Sequence, residues 1–172
     1  MATSYTAPVS AGLLILKVGL VAGTLDICDA LIYSGFHGAL PHQVFWFIAA
    51  GLIGARAAVE GGMATAALGL GLHYGIVFIW TALYYAASRS LPVLRRWPVP
   101  CGLAYGLLVY LVMNLVVLPL SRIGWRPLPH GFALVNAVGA VMLFIGLTIA
   151  VLMRRWDPLP ASAQAAGAAT GS

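Results

Sequence analysis

Residues 130–153 read HGFALVNAVGAVMLFIGLTIAVLM, a run that contains no Asp, Glu, Lys or Arg. A helix rises about 1.5 Å per residue, so this run is about 36 Å long and exceeds the roughly 30 Å hydrocarbon core of a bilayer. Because hydrocarbon offers the backbone no hydrogen-bond partners, an apolar run of this length has to be helical there. The run therefore predicts a helix that crosses a membrane.

Three earlier stretches share this length and composition. They are 11–35, 63–88 and 99–121. Prolines and arginines separate the stretches from one another, since proline ends helices and arginine resists burial in lipid. We therefore expect an all-α integral membrane protein, a four-helix bundle over 11–156. A short N-terminal tail at 1–10 precedes it, and an Ala/Gly/Ser-rich tail at 157–172, which we expect to be disordered, follows it.

The composition supports this fold class. Hydrophobic residues make up 62% of the chain and charged residues only 8%, whereas a soluble domain has about 25% charged residues. The net charge of +5 comes from basic residues at the ends of the apolar runs, a distribution that reflects membrane topology and argues against nucleic-acid binding. The expected partner is the lipid bilayer, and a second copy of the chain or another membrane protein are further candidates.

The segment 41–60 is ambiguous. It begins with VFWFI at 44–48 and then weakens to small residues with two charges, Arg56 and Glu60, which are four residues apart and can pair on one helix face. We expect an additional helix that lies in the interface or is re-entrant, dipping partway into the bilayer. A fifth full span is the alternative.

The orientation follows from the basic residues, because cytoplasmic connections are enriched in Lys and Arg. With four spans and a cytoplasmic N-terminus, six basic residues lie at the inner side: Lys17, Arg89, Arg95, Arg96, Arg154 and Arg155. Three lie at the outer side: Arg56, Arg122 and Arg126. This distribution predicts that both termini are cytoplasmic.

Polar side chains inside the predicted spans are candidate functional residues, because burying them in lipid is costly. They are Asp26 and Asp29 in the first span, His73 in the second, Asn114 in the third and Asn136 in the fourth. Alternating helix directions place all of them at middle-to-outer depth. We expect them to converge in one polar pocket, with Asp26 and His73 within reach of each other or of Asn114. The pocket is either a proton or cation site or a set of hydrogen bonds that hold the helices together.

No catalytic motif is present: the sequence has no HExxH, phosphate loop, Rossmann fingerprint or metal-type cysteine spacing. We therefore expect no catalytic residues, no metal and no cofactor, and an intramembrane enzyme is a disfavoured alternative. Haem binding is disfavoured because His73 and His130 lie at different depths. Two functions are left open. One is a structural or accessory protein that binds lipid or a membrane partner, and the other is an oligomeric, proton-linked transporter or channel for a small solute or ion.

Several segments carry a family resemblance. They are IAAGLIG at 48–54, ALGLGLH at 67–73, LYYAASR at 83–89 and MNLVVLPLS at 113–121. With these segments, roughly residues 23–126 resemble a group of uncharacterised bacterial multi-pass inner-membrane proteins that is distantly similar to YagU-like proteins. The resemblance implies a location in the bacterial inner membrane and implies no particular activity.

Overall fold

The computed structural model describes residues 10–157, which are almost entirely helical. A helix that continues through a π-helical stretch is counted as one. The helices are α1 (Ala11–Phe36), α2 (Pro41–Ile53), α3 (Ala55–Glu60), α4 (Gly62–Ser90), α5 (Pro92–Arg96), α6 (Pro98–Leu120) and α7 (Gly131–Trp156). Four of these, α1, α4, α6 and α7, are long and apolar enough to cross a membrane, which confirms the predicted all-α, four-span fold. The tails predicted at 1–10 and 157–172 lie outside the described residues, apart from Ser10 and Asp157.

The helix starts follow from local sequence. The Ser10 hydroxyl caps α1 by accepting a hydrogen bond from the backbone N–H of Leu13 at 3.3 Å. Helices α2, α5 and α6 begin with Pro41, Pro92 and Pro98. Proline suits this first position, because its fixed φ is helical and the N–H that it lacks would have no partner within the helix.

The segment 41–60 differs from the single helix that the sequence predicts. It is divided at Gly54, whose φ of +89° is a conformation that other residues rarely adopt. The first part, α2, is only about 20 Å long and cannot cross a bilayer by itself. The second part, α3, carries the predicted contact between Arg56 and Glu60, which is confirmed with Nε and Oε1 2.7 Å apart.

Helix α2 packs against α4 and also contacts α1. The Trp46 indole N–H donates to the Gly62 carbonyl at 2.7 Å, and the Arg122 backbone N–H donates to the Gly51 carbonyl at 2.9 Å. The buried alanines of α2 and α3, Ala49, Ala50 and Ala58, form a small cluster against which Ile123 packs. These contacts fix α2 at the end of the bundle where α1 and α6 finish, hereafter the α2 end.

Helices α6 and α7 approach closely through glycines. A Cβ atom at Gly146 would collide with the backbone of Gly102 and Gly106. The Gly102–Gly106 pair, a GxxxG spacing in the sequence, thus packs within the chain. The half of the bundle away from α2 is filled by a continuous apolar core: Leu14, Val18, Ala22, Val77, Tyr84, Val109, Ile145, Ile149, Ala150 and Met153.

The opposite end of the bundle, hereafter the basic end, contains an ion pair in an unexpected place. Arg95, in the short connecting helix α5, is only 4% exposed. Its Nη2 lies 2.5 Å from Oδ2 of Asp157, and its Nη1 donates to the Asp157 backbone carbonyl at 3.1 Å. The Tyr84 hydroxyl donates to the Leu94 carbonyl at 3.2 Å and holds the same connection. Arg95 therefore holds α5, which connects α4 to α6, against the end of α7.

Candidate functional site

Two cavities lie at the α2 end and hold the polar side chains that the sequence singles out. The α2 cavity, between α1, α2 and α4, has a volume of about 430 Å³, and His73 lines it. The α7 cavity, between α1, α6 and α7, has a volume of about 320 Å³, and Asn114 and Asn136 line it. Neither cavity is closed on all sides.

Asp26 lines both cavities, together with Ala30 and Ser34 from the next two turns of α1. Within residues 10–157, its carboxylate has neither a hydrogen-bond partner nor a salt-bridge partner. An acidic side chain that faces a space between helices, with no protein group to satisfy it, is costly in a membrane. Asp26 is therefore the residue of the bundle best placed to contact something that enters these cavities.

His73 is held by the backbone of α1. It is 8% exposed, and its Nε2 lies 2.9 Å from the carbonyl oxygen of Gly23. Because a carbonyl only accepts, Nε2 carries the proton and donates. The close approach is allowed by Gly23, where a Cβ would meet the Tyr74 ring at 2.9 Å. His73 and Asp26 share the α2 cavity, but no hydrogen bond joins them in the part of the chain that the structure describes.

Asp29 and Asn136 meet at the α7 cavity. The amide nitrogen of Asn136 donates to Oδ2 of Asp29 at 3.3 Å, which links α1 to α7. On α6, the amide nitrogen of Asn114 donates to the backbone carbonyl of Tyr110 at 2.9 Å. Four of the five predicted pocket residues thus surround the α7 cavity, whereas the fifth, His73, lines only the α2 cavity, which it shares with Asp26.

Tyr110 was not among the predicted site residues, although it precedes Asn114 by four residues and shares its face of the helix. It lines the α7 cavity and is 4% exposed. Its hydroxyl is a buried polar group with no hydrogen-bond partner among the described residues. Leaving such a group unsatisfied costs about 1–3 kcal/mol. A ligand in the cavity would reduce that cost.

Helices α6 and α7, which line the α7 cavity opposite α1, are both locally widened. The π-helical stretches are Met113–Val117 in α6 and Val141–Leu147 in α7. In α6 the widened turn ends two residues before Pro119, whose ring would clash with the carbonyl four residues earlier in a regular helix. Single π-helical turns are frequent at functional sites. Here one of them contains Asn114, a residue of the cavity.

Acidic side chains line both cavities. Neither lining includes Lys or Arg, and the α7 cavity has no His. No three His, Cys, Asp or Glu side chains among residues 10–157 are grouped to hold a metal ion.

Comparison of the chain with family models, curated proteins and solved structures gives no match. The four candidate spans make the chain a multi-pass membrane protein.

Proposed function

We propose that this protein is an accessory protein of the bacterial inner membrane that binds a lipid or another membrane-soluble molecule in the cavities of the α2 end. Both termini are cytoplasmic in this proposal, so that the α2 end faces the periplasm. The six basic residues toward the basic end favour this orientation. The resemblance to a group of bacterial inner-membrane proteins that is distantly similar to YagU-like proteins favours the location.

The observation that carries the proposal is the contrast between the two halves of the bundle. The α2 end holds two open cavities that share Asp26, whereas the other half is filled with packed apolar side chains. A packed half favours binding over conduction, because a channel needs a continuous polar path. A cavity of about 320 Å³ is many times the roughly 10–15 Å³ that one water needs, so there is room for a lipid headgroup.

Ala30 provides the test, because it lines both cavities and carries no polar group. We expect Ala30→Trp to fill the cavities and to lower the amount of co-purified lipid by about tenfold, equivalent to ~1.4 kcal/mol. Native mass spectrometry of the protein in mild detergent measures this. The matched control is Ala86→Trp, at an exposed position of α4 toward the basic end. Equal lipid retention by both variants and the unchanged protein would refute the proposal.

A proton-linked transporter is the second candidate function, and Asp26 and His73 favour it because both line the α2 cavity. Carboxylate and imidazole groups are the usual proton carriers of membrane transporters. Proteoliposomes with an internal pH dye and an imposed membrane potential distinguish the two functions. A transporter would show proton uptake that Asp26→Asn abolishes, and the proposed binding protein would show no uptake above that of empty liposomes.

A further inference from the structure

We propose that the α7 cavity binds an ammonium group, with Asp26 and Asp29 as its counter-ions and the Tyr110 hydroxyl as one of its hydrogen-bond partners. This inference rests on the proposed function and names the chemical group that the cavity recognises. The group is shared by two sources, the ethanolamine headgroup of a phospholipid and a free alkylamine.

Charge gives the first argument. Two carboxylates line the cavity, and no Lys, Arg or His lines it with them. Asp29 has a neutral partner, the amide of Asn136, and Asp26 has none within the described chain. The cavity therefore lacks the positive charge that would balance its carboxylates, and a cationic ligand supplies it.

Hydrogen-bonding capacity gives the second argument. Asn114 and Asn136 each use an amide N–H on a protein acceptor, the Tyr110 carbonyl and the Asp29 carboxylate. Their amide oxygens accept no hydrogen bond from residues 10–157. The free amide oxygens can only accept hydrogen bonds, and so can carboxylates in their ionised form. A ligand with several hydrogen-bond donors therefore complements this set of groups. An ammonium group has up to three N–H donors.

Tyr110 gives an independent observation. Tyr110 is only 4% exposed and lines the cavity. Its hydroxyl has no hydrogen-bond partner among the described residues. A hydroxyl can accept from an ammonium N–H. Binding of that ligand would satisfy the one buried side-chain polar atom that residues 10–157 leave without a partner.

The walls distinguish an organic ammonium from a bare ion. The rest of the lining is largely apolar, with Ala133, Ala137, Ala140 and Val141 from α7. Such a surface suits the carbon atoms attached to the nitrogen of an organic ammonium group. The volume of about 320 Å³ likewise exceeds what one ion with a few waters requires.

The test uses the full chain in nanodiscs that contain equal amounts of phosphatidylethanolamine and phosphatidylglycerol, with bound lipid counted after gentle extraction. We expect the unchanged protein to retain phosphatidylethanolamine preferentially. Asp26→Asn should lower this retention by about tenfold or more, because it removes a charge-assisted hydrogen bond. Tyr110→Phe should lower it by about two- to tenfold, as the loss of one hydrogen bond predicts. Hexylammonium binding, measured by calorimetry on lipid-depleted protein, should fall in the same order.

Two variants serve as matched controls, Glu60→Gln for the acid and Tyr85→Phe for the hydroxyl. Both residues lie outside the cavities, and we expect unchanged retention. Tyr110→Phe has a second readout: without ligand, the variant should be at least as resistant to SDS unfolding as the parent, because it removes an unsatisfied hydroxyl.

The outcomes separate the two proposals. Binding of hexylammonium but not of phosphatidylethanolamine supports the site with a soluble amine as its source. If both lipids are retained equally and Ala30→Trp abolishes that retention, the ammonium site is refuted. The proposed function is then still supported. Sodium ions that compete with hexylammonium at equal concentration also overturn it. Lipid retention that Ala30→Trp leaves unchanged defeats the proposed function itself.

Discussion

Two ion pairs of this protein differ sharply in their surroundings. The pair of Arg56 and Glu60 lies on the surface of α3, with side chains 91% and 63% exposed. The pair of Arg95 and Asp157 joins two elements, and the Arg95 side chain is 4% exposed. Exposed ion pairs contribute little to stability because solvent screens their charges. A buried guanidinium is different, because removing its carboxylate partner leaves a buried charge without compensation.

We expect Asp157→Ala to lower the free energy of unfolding by about 2 kcal/mol, since it leaves Arg95 buried without a carboxylate. This figure lies below that for a fully buried pair because the Asp157 side chain is 28% exposed. An SDS titration followed by circular dichroism measures the effect. Glu60→Ala, which breaks the exposed pair, should change the free energy by less than about 0.5 kcal/mol. Equal effects of the two substitutions would contradict this account.

Individual side-chain partners were only partly predictable. The pairing of Arg56 with Glu60 follows from a spacing of four within one helix, so the sequence is sufficient. The hydrogen bond of His73 with the Gly23 carbonyl depends on how two helices meet, which no local pattern encodes. The burial of Arg95 had one indication in the sequence: Asp157 is the only acidic residue after Glu60 and lies at the same end as most of the arginines.

At the scale of helices, glycine decides which pairs pack most closely. Gly146 of α7 lies against the backbone of Gly102 and Gly106 of α6. In lipid there is no hydrophobic driving force between helices, so association depends on this kind of close van der Waals contact. Gly139, two turns earlier in α7, has open space where a Cβ would be.

We expect Gly146→Ala to destabilise the protein by about 2 kcal/mol or more, because the added methyl group meets backbone that cannot move aside without separating α6 from α7. Gly139→Ala is the matched control in the same helix. It should be neutral or stabilising by up to about 1 kcal/mol, as the higher helix propensity of alanine predicts. Resistance to SDS unfolding compares the two. A Gly146→Ala variant as stable as Gly139→Ala would show that the helices do not pack in this way.

The existence of the helices was more predictable than their interruptions. Spans are set by the length of apolar runs, a local property, and the structure places their ends within a few residues of the predicted ones. The break at Gly54 was missed because apolar residues and a helical ion-pair spacing lie on either side of it. The widened turns in α6 and α7 were missed as well, since they arise where helices meet other parts of the bundle.

For the molecule as a whole, the proposed topology places both ends of the four-span bundle in the cytoplasm. Reporter fusions after Ser10 and after Asp157 should both show cytoplasmic activity, because the inner side then carries six basic residues against three outside. A fusion after Arg126 should report the periplasm and serves as the control. A periplasmic reporter after Asp157 would mean an odd number of crossings, with the segment that contains α2 crossing the membrane.

The ion pair between Arg95 and Asp157 also has a consequence for the order in which the bundle assembles during synthesis. The two residues are 62 positions apart, and the whole of α6 and α7 is made between them. At typical elongation rates of 5–20 residues per second, about 3 to 12 s separate the appearance of the arginine from that of its carboxylate. During that interval the guanidinium has to stay in water or among lipid headgroups. The ion pair at the basic end therefore forms only after α6 and α7 have been synthesised, which makes it a late step of assembly.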